Sequence, residues 1–199
     1  MTALADARLD AQFAFLNEAD RLKSVLRATT LVDRSRRENS GEHSWHLALY
    51  AMTLIDQATL SVDLARVIQM LILHDLVEID VGDTPIHSAD GKAHGSAATQ
   101  SAEQAAATRI FGLLPPDLGR RFRILWDEFE AAETPDALFA KSLDRVQPVM
   151  ANLMSGGGTW LEYNVTSAQL DDRVGAKIAK GAPTLWTYIR ARTRSFFTD

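Results

Sequence analysis

The sequence predicts an all-α protein, a single helical bundle of six to eight helices, on three observations. Apolar residues recur with helical period through nearly every long segment. Capping and breaking residues punctuate the ends of those segments. No good strand pattern appears, and there is no internal repeat.

Taken in order, residues 4–28 place Leu9, Phe13, Leu16, Leu22, Val25 and Leu26 near one stripe, with charges on the other side. Residues 43–58, "HSWHLALYAMTLIDQA", form a second apolar-faced helix. Ser61 or Asp63 caps a third, from about Val62 to Ile79, and Gly82 and Pro85 then break the chain. Residues 86–98, "IHSADGKAHGSAA", are small and polar and predict a mobile loop. Helices follow over 99–112, closed by Gly112 and Pro115-Pro116, over 117–132, and from Thr134-Pro135 to about Met154. "SGGGTW" predicts a loop, and with no P-loop lysine on a following helix it is not a phosphate cradle. "VTSAQL" caps a last helix, which Pro183 bends or restarts. Trp45, Trp126, Trp160 and Trp186 read as packing residues.

With 199 residues the chain suits one domain, residues 1–199, and is short for two. Its 46% hydrophobic and 24% charged residues are ordinary for a globular protein. A formal net charge of -5 gives no broad electrostatic reason to expect a nucleic-acid partner. The absence of cysteine excludes disulfides, thiolate metal sites and a cysteine nucleophile, and fits a cytoplasmic location. "MTALADARLDAQFAFLNEADRL" has no apolar signal core, and no window approaches the roughly 18 apolar residues of a spanning helix. The expected partner is a small molecule, neither a nucleic acid nor a membrane.

The chemistry concentrates in residues 70–85, "MLILHDLVEIDVGDTP". An apolar run there carries His74, Asp75 and Glu78, with Asp80 and Asp83 just beyond. Burying such groups is costly unless they are paired or bind a metal. Two more residues belong with them: His43 in "ENSGEHSWH" and Asp144 in "FAKSLDRVQP". Each lies on a predicted helix with apolar neighbours, so each can point inward from a different wall, as bundle metal sites are built. Imidazole and carboxylate together suit hard or borderline cations. On a helix His74 and Asp75 diverge by about 100°, so they share an ion only if it sits close to the helix. A lone buried histidine is also a common hydrogen-bonded core residue, and Asp144 could pair with Arg145 or Lys141. Spacing leaves that choice open.

The order His, His-Asp, Asp decides it, together with the flanks "RRENSGEHSWHLAL", "HDLVEIDVGDTP" and "KSLDRVQP". With these the chain resembles the HD-domain metal-dependent phosphohydrolases, in the branch of the bacterial 5'-deoxynucleotidases, over about residues 20–190. The resemblance implies that His43, His74, Asp75 and Asp144 hold a divalent ion (Mn, Co, Fe, Ni, Zn or Mg). It implies Glu78 and Asp83 as the catalytic pair, a homodimer, and hydrolysis of a phosphomonoester by attack of a metal-bound water. The substrate it matches best is a nucleoside or deoxynucleoside 5'-monophosphate.

Glu78, four residues after His74, shares its helical face and would orient or activate the water. Asp83 follows the Gly82 turn and would assist the leaving group or hold substrate, although "GDTP" is also a common turn composition. Arg27 fits the Arg-Trp pair of that branch with a small length difference, as a substrate contact. Ala28 stands where the Trp is expected, which opens the question of substrate preference. Arg37, beside Arg36, and Lys141, one turn before Asp144, are further phosphate contacts; solvation or a salt bridge would account for them equally. His46 reads as a core or boundary histidine and Asp80 as structural.

Two rival readings remain. His87 and His94 lie between the His-Asp pair and the last Asp, where a binuclear phosphodiesterase or an oxygenase would use them. Against this, both fall in the predicted loop, and ligands need rigid support. A non-catalytic nucleotide-binding module would need neither Glu78 nor Asp83.

Overall fold

A computed structural model describes residues 3–92 and 95–197. Helix α1 (Ala3–Ala19) tightens into a 3-10 turn at Asp20–Ser24. The chain then forms an antiparallel hairpin of β1 (Leu26–Thr30) and β2 (Arg37–Asn39), with Leu26 opposite Asn39 and Thr30 opposite Arg37. This corrects the expected helix over 4–28 and the expected absence of strands. The β-branched Thr29-Thr30 pair favours extended backbone. Asp33 Oδ1 closes the turn by accepting from the Ser35 N–H at 3.0 Å and hydroxyl at 2.7 Å.

The α1 stripe is corrected as well. Leu9, Phe13 and Leu16 are exposed, and the buried anchor is Phe15, packed edge-on to Phe122. Trp45 is likewise exposed at 64%, while Trp126 and Trp160 are buried as expected.

Helix α2 (Ser40–Leu54) opens with a capping box: Asn39 Oδ1 accepts the Glu42 N–H, and the Glu42 carboxylate accepts the Asn39 N–H. That start fixes His43 in the first turn. Asp63, rather than Ser61, caps α3 (Leu64–Leu73). The segment read as one helix to Ile79 is three pieces, α3, a 3-10 turn at His74–Val77 and α4 (Glu78–Val81), stopped by Gly82 at φ 74°.

Helices α5 (Ala97–Phe111), α6 (Pro116–Ala131) and α7 (Pro135–Met154) follow the predicted pattern. A single turn, α8 (Thr159–Glu162), leads to α9 (Ser167–Leu170), capped by Thr166. A π segment at Asp171–Gly175 joins α9 to α10 (Ala176–Gly181), and Pro183 begins α11 (Pro183–Thr193). At Gly175 a Cβ would lie 2.3 Å from Trp186 Cζ2, so the missing side chain is what seats that indole.

The twenty-residue α7 is the central post, packed by α2, α3, α6, α10, α11 and β1. Leu47, Val67, Met70, Leu71, Phe129 and Ile178 from its neighbours are fully buried with its own Phe139 and Leu143, and such side chains each contribute about 1.5–3 kcal/mol. The result is an all-α bundle whose small hairpin packs on α7 through β1 and reaches Gln147 through Glu38. Among the described residues no helix is long and apolar enough to cross a membrane.

Candidate metal centre and active site

His43 comes from α2, His74 and Asp75 from the 3-10 turn, and Asp144 from α7; all four are buried. The tautomers follow from the surrounding hydrogen bonds. Gln147 Nε2 donates to Glu38 Oε1 at 2.9 Å, which turns Gln147 Oε1 towards His43 Nδ1 at 3.0 Å. Nδ1 of His43 therefore carries the proton, and its Nε2 lone pair faces Asp144 Oδ1 at 3.1 Å. His74 Nδ1 donates to the Leu71 carbonyl at 2.8 Å. Its Nε2 points at Asp75 Oδ1 at 2.9 Å and Asp144 Oδ1 at 3.7 Å, buried and without a hydrogen-bond partner.

Two imidazole nitrogens thus face carboxylate oxygens, an arrangement that calls for positive charge between them, a proton or a cation. Single ligand atoms of His43, His74 and Asp75 all fall within 4.8 Å of one another. Asp144 Oδ1 lies beside both imidazoles, so the four side chains fit one divalent cation held by nitrogen and oxygen. The outer hydrogen bonds to Gln147 and Leu71 are the kind that orient metal-binding histidines. Burial alone would lower the His74 pKa, but the Asp75 and Asp144 carboxylates raise it to about 10. The field at that nitrogen selects a positive charge. The 3-10 turn matters here, because tightening the helix after Leu73 brings His74 Nε2 and Asp75 Oδ1 together.

Beside this centre lies Arg27, carried inward by β1. Its Nη1 donates to Asp75 Oδ2 at 2.7 Å and sits 3.6 Å from Glu78 Oε1 and 3.7 Å from Asp83 Oδ1. Burial works against its charge, and the carboxylates of Asp75, Glu78, Asp83 and Asp144 outweigh that, holding it protonated. Glu78 accepts from the Ser40 hydroxyl, and Asp83 Oδ2 accepts the Ala28 N–H at 3.1 Å. Burial first, and then the neighbouring Asp75, push the Glu78 carboxyl well above the ordinary range; Asp83 is raised in the same way.

His74, Asp75 and Asp144, the acidic pair and Arg27 all line one cavity of about 340 Å³, while His43 is fully buried and does not line it. Lys141 lines it too, with Nζ 3.0 Å from Glu130 and over the Phe129 ring. Arg37 does not join them: it is turned outward and paired with Glu162 at 3.0 Å. Arg36 pairs with Glu42, and Asp80 holds Arg109 on the surface through two bonds of 2.6 Å. His46 faces a separate apolar pocket with Tyr50 and Ile189. His87 lines the main cavity outside the metal cluster, and His94 lies outside the described residues.

Sequence reasoning passed over Glu38 and Gln147. Both sit inside quoted motifs, "RRENS" and "DRVQP": Glu38 just before the helix that carries His43, and Gln147 one turn after Asp144 on α7. That was the available signal.

Fold and site together define a helical bundle built around a buried His/Asp centre. The HD domain family matches residues 19–186, and the chain belongs to that family. The crystal structure of a predicted metal-dependent phosphohydrolase from Magnetospirillum magnetotacticum MS-1 superposes with a TM-score of 0.87 at 45% identity, covering 96% of this chain and 95% of that one. The 5'-deoxynucleotidase HDDC2 of Homo sapiens is 31% identical over 137 residues, 68% of this chain and 64% of its own length. The 5'-deoxynucleotidase yfbR of Photorhabdus temperata is 26% identical over 169 residues, 82% of this chain and 84% of its own.

Proposed function

We propose that this chain is a divalent-metal-dependent phosphohydrolase that releases phosphate from a nucleoside or deoxynucleoside 5'-monophosphate. One observation carries the reading: His74, Asp75 and Asp144, clustered with the buried His43, line the same cavity as the Glu78–Asp83 carboxylate pair and a buried arginine. The names and similarity of the relatives support it.

A divalent cation, when bound by those four residues, polarises the phosphoryl group and lowers the pKa of water. The chain's own groups do the rest. Glu78, oriented by Ser40, takes a proton from the attacking water; burial and the neighbouring Asp75 raise its pKa, which strengthens it as a base. Asp83, across Arg27 from Glu78, delivers a proton to the leaving alcohol oxygen as the phosphorus–oxygen bond breaks. Arg27 offsets the charge that grows on the phosphoryl oxygens. Lys141 lines the cavity as a second cation for the phosphate, whereas the ion pair of Arg37 with Glu162 gives it no such role.

The exposed stripes Leu9, Phe13, Leu16 on α1 and Trp45, Leu49, Met52 on α2 support a homodimer. Nucleoside monophosphates are cytoplasmic metabolites, which supports a cytoplasmic location. The test is a screen of purified protein with Mn²⁺, Co²⁺ or Mg²⁺ against nucleoside mono-, di- and triphosphates and bis(p-nitrophenyl) phosphate. Phosphate release from the monophosphates is expected. Turnover of the diester alone, with two ions per chain, would favour the binuclear reading; metal binding with no turnover would favour a binding module.

A further inference from the structure

The cavity does not end at the metal cluster. Lys141, Asp144, Pro148 and Asn152 of α7 all line it, and that stretch of helix is about 16 Å long. A phosphate near Asp144 therefore leaves room for the larger part of a substrate.

On the wall reached by the loop after Gly82 stands His87. Its side chain is 7% exposed, it lines the cavity, and its Nδ1 is enclosed without a hydrogen-bond partner. Leaving a buried polar nitrogen unmatched costs about 1–3 kcal/mol, and a turn of the ring about its broad χ2 would present that nitrogen to a ligand group in the cavity. Burial, reinforced by the Arg173 and Arg145 charges, pulls the His87 pKa down to about 4, so the ring is neutral in the working pH range. A neutral imidazole offers one donor and one acceptor. That is the complement of a hydroxyl or amide, while a phosphate is better served by Arg27 and Lys141.

The wall is also built to hold position. Arg173 Nη2, on the π segment, donates to both the carbonyl and the carboxylate of Asp90 at 2.8 Å, three residues beyond His87. Gly91 at φ 80° lets the guanidinium lie against the loop, since a Cβ there would be 2.7 Å from Arg173 Nε. π segments recur at functional sites.

Resting on the phosphomonoesterase reading above, we propose that His87 is a specificity-determining contact. It hydrogen-bonds an uncharged group of the leaving alcohol, the sugar or base of a nucleoside 5'-monophosphate, and so selects nucleotides over simple phosphate esters.

The experiment compares wild-type, His87→Leu and His87→Gln, each loaded with Mn²⁺. It measures metal per chain and kcat/KM for nucleoside 5'-monophosphates and for p-nitrophenyl phosphate, which lacks sugar and base. His87→Leu is expected to lose about ten- to a hundredfold on the nucleotides while staying within about twofold on p-nitrophenyl phosphate and on metal content. His87→Gln is expected to recover part of the nucleotide loss. Equal losses on both substrates, unchanged nucleotide turnover or a fall in bound metal would each overturn the proposal.

If wild-type hydrolyses neither substrate, the activity reading fails separately, and calorimetric binding of the nucleoside 5'-monophosphates decides. Binding about tenfold weaker in His87→Leu upholds the contact. Equal binding in the two proteins, or none in wild-type, removes it.

Discussion

Gln147 offers the sharpest test of how the centre is held together. It accepts from His43 Nδ1 at 3.0 Å and donates to Glu38 Oε1 at 2.9 Å, linking a proposed ligand to a buried carboxylate. Gln147→Leu keeps roughly the same bulk and removes both bonds. His43 then loses the acceptor that fixes its tautomer, which for such outer partners costs about 10–100-fold in metal affinity. That corresponds to about 1.4–2.8 kcal/mol. Glu38 is left buried without its donor, which costs a further ~1–3 kcal/mol of folding stability.

Competition against a fluorescent chelator for Mn²⁺ or Co²⁺ reads the first effect, and thermal unfolding of the metal-free protein reads the second. Gln147→Glu separates them, because it retains an acceptor for His43 but sets a carboxylate against Glu38. Its metal affinity should stay nearer wild-type while its stability falls. A folded Gln147→Leu protein binding metal within twofold of wild-type would refute the reasoning.

Asp75→Ala should lose metal and turnover together, measured by metal analysis and phosphate release; an active protein with full metal would remove Asp75 from the ligand set. Glu78→Gln should keep its metal and lose about 10²–10⁴-fold in kcat. Because burial and Asp75 raise the Glu78 pKa, the wild-type rate should fall with acid above the ordinary carboxylate range, and a pH–rate profile should show that limb vanish in Glu78→Gln. Arg27→Met removes the cation nearest Asp75, Glu78 and Asp83, and breaking such a buried pair costs about 3–5 kcal/mol. The metal-free variant should show a lowered Tm that added Mn²⁺ partly restores, since the ion offsets the same carboxylates; an unchanged Tm would show that Arg27 does not carry this balance.

Local chemistry explains what was legible. Helical period, the Ser61 or Asp63 and Thr134 caps and the Gly82 stop are properties of a few neighbouring residues, so they mark the start of α3, the break after α4 and the start of α7 without knowledge of the fold, but not the 3-10 turn that divides α3 from α4. The same holds for the conspicuous charges in "LILHDLVEID", which are anomalous within their own segment. The hairpin is different: β1 and β2 are short, and their pairing depends on a partner strand rather than on their own pattern. The outward stripe on α1 was misread because period says which residues share a face, not which face meets the core.

From its order of residues alone the chain specifies a helical domain, and its resemblance to the HD family singles out four side chains as the proposed ligands of one cation. Tertiary packing chose what surrounds them: Arg27 delivered by a strand, Gln147 reaching Glu38 across 109 positions, Arg37 turned outward to Glu162, and His87 enclosed on the cavity wall. A side chain's type is written at its own position, but its partners and its solvent are set by segments far away in the chain. Charge pairing, tautomer and burial therefore become definite only once the bundle has closed.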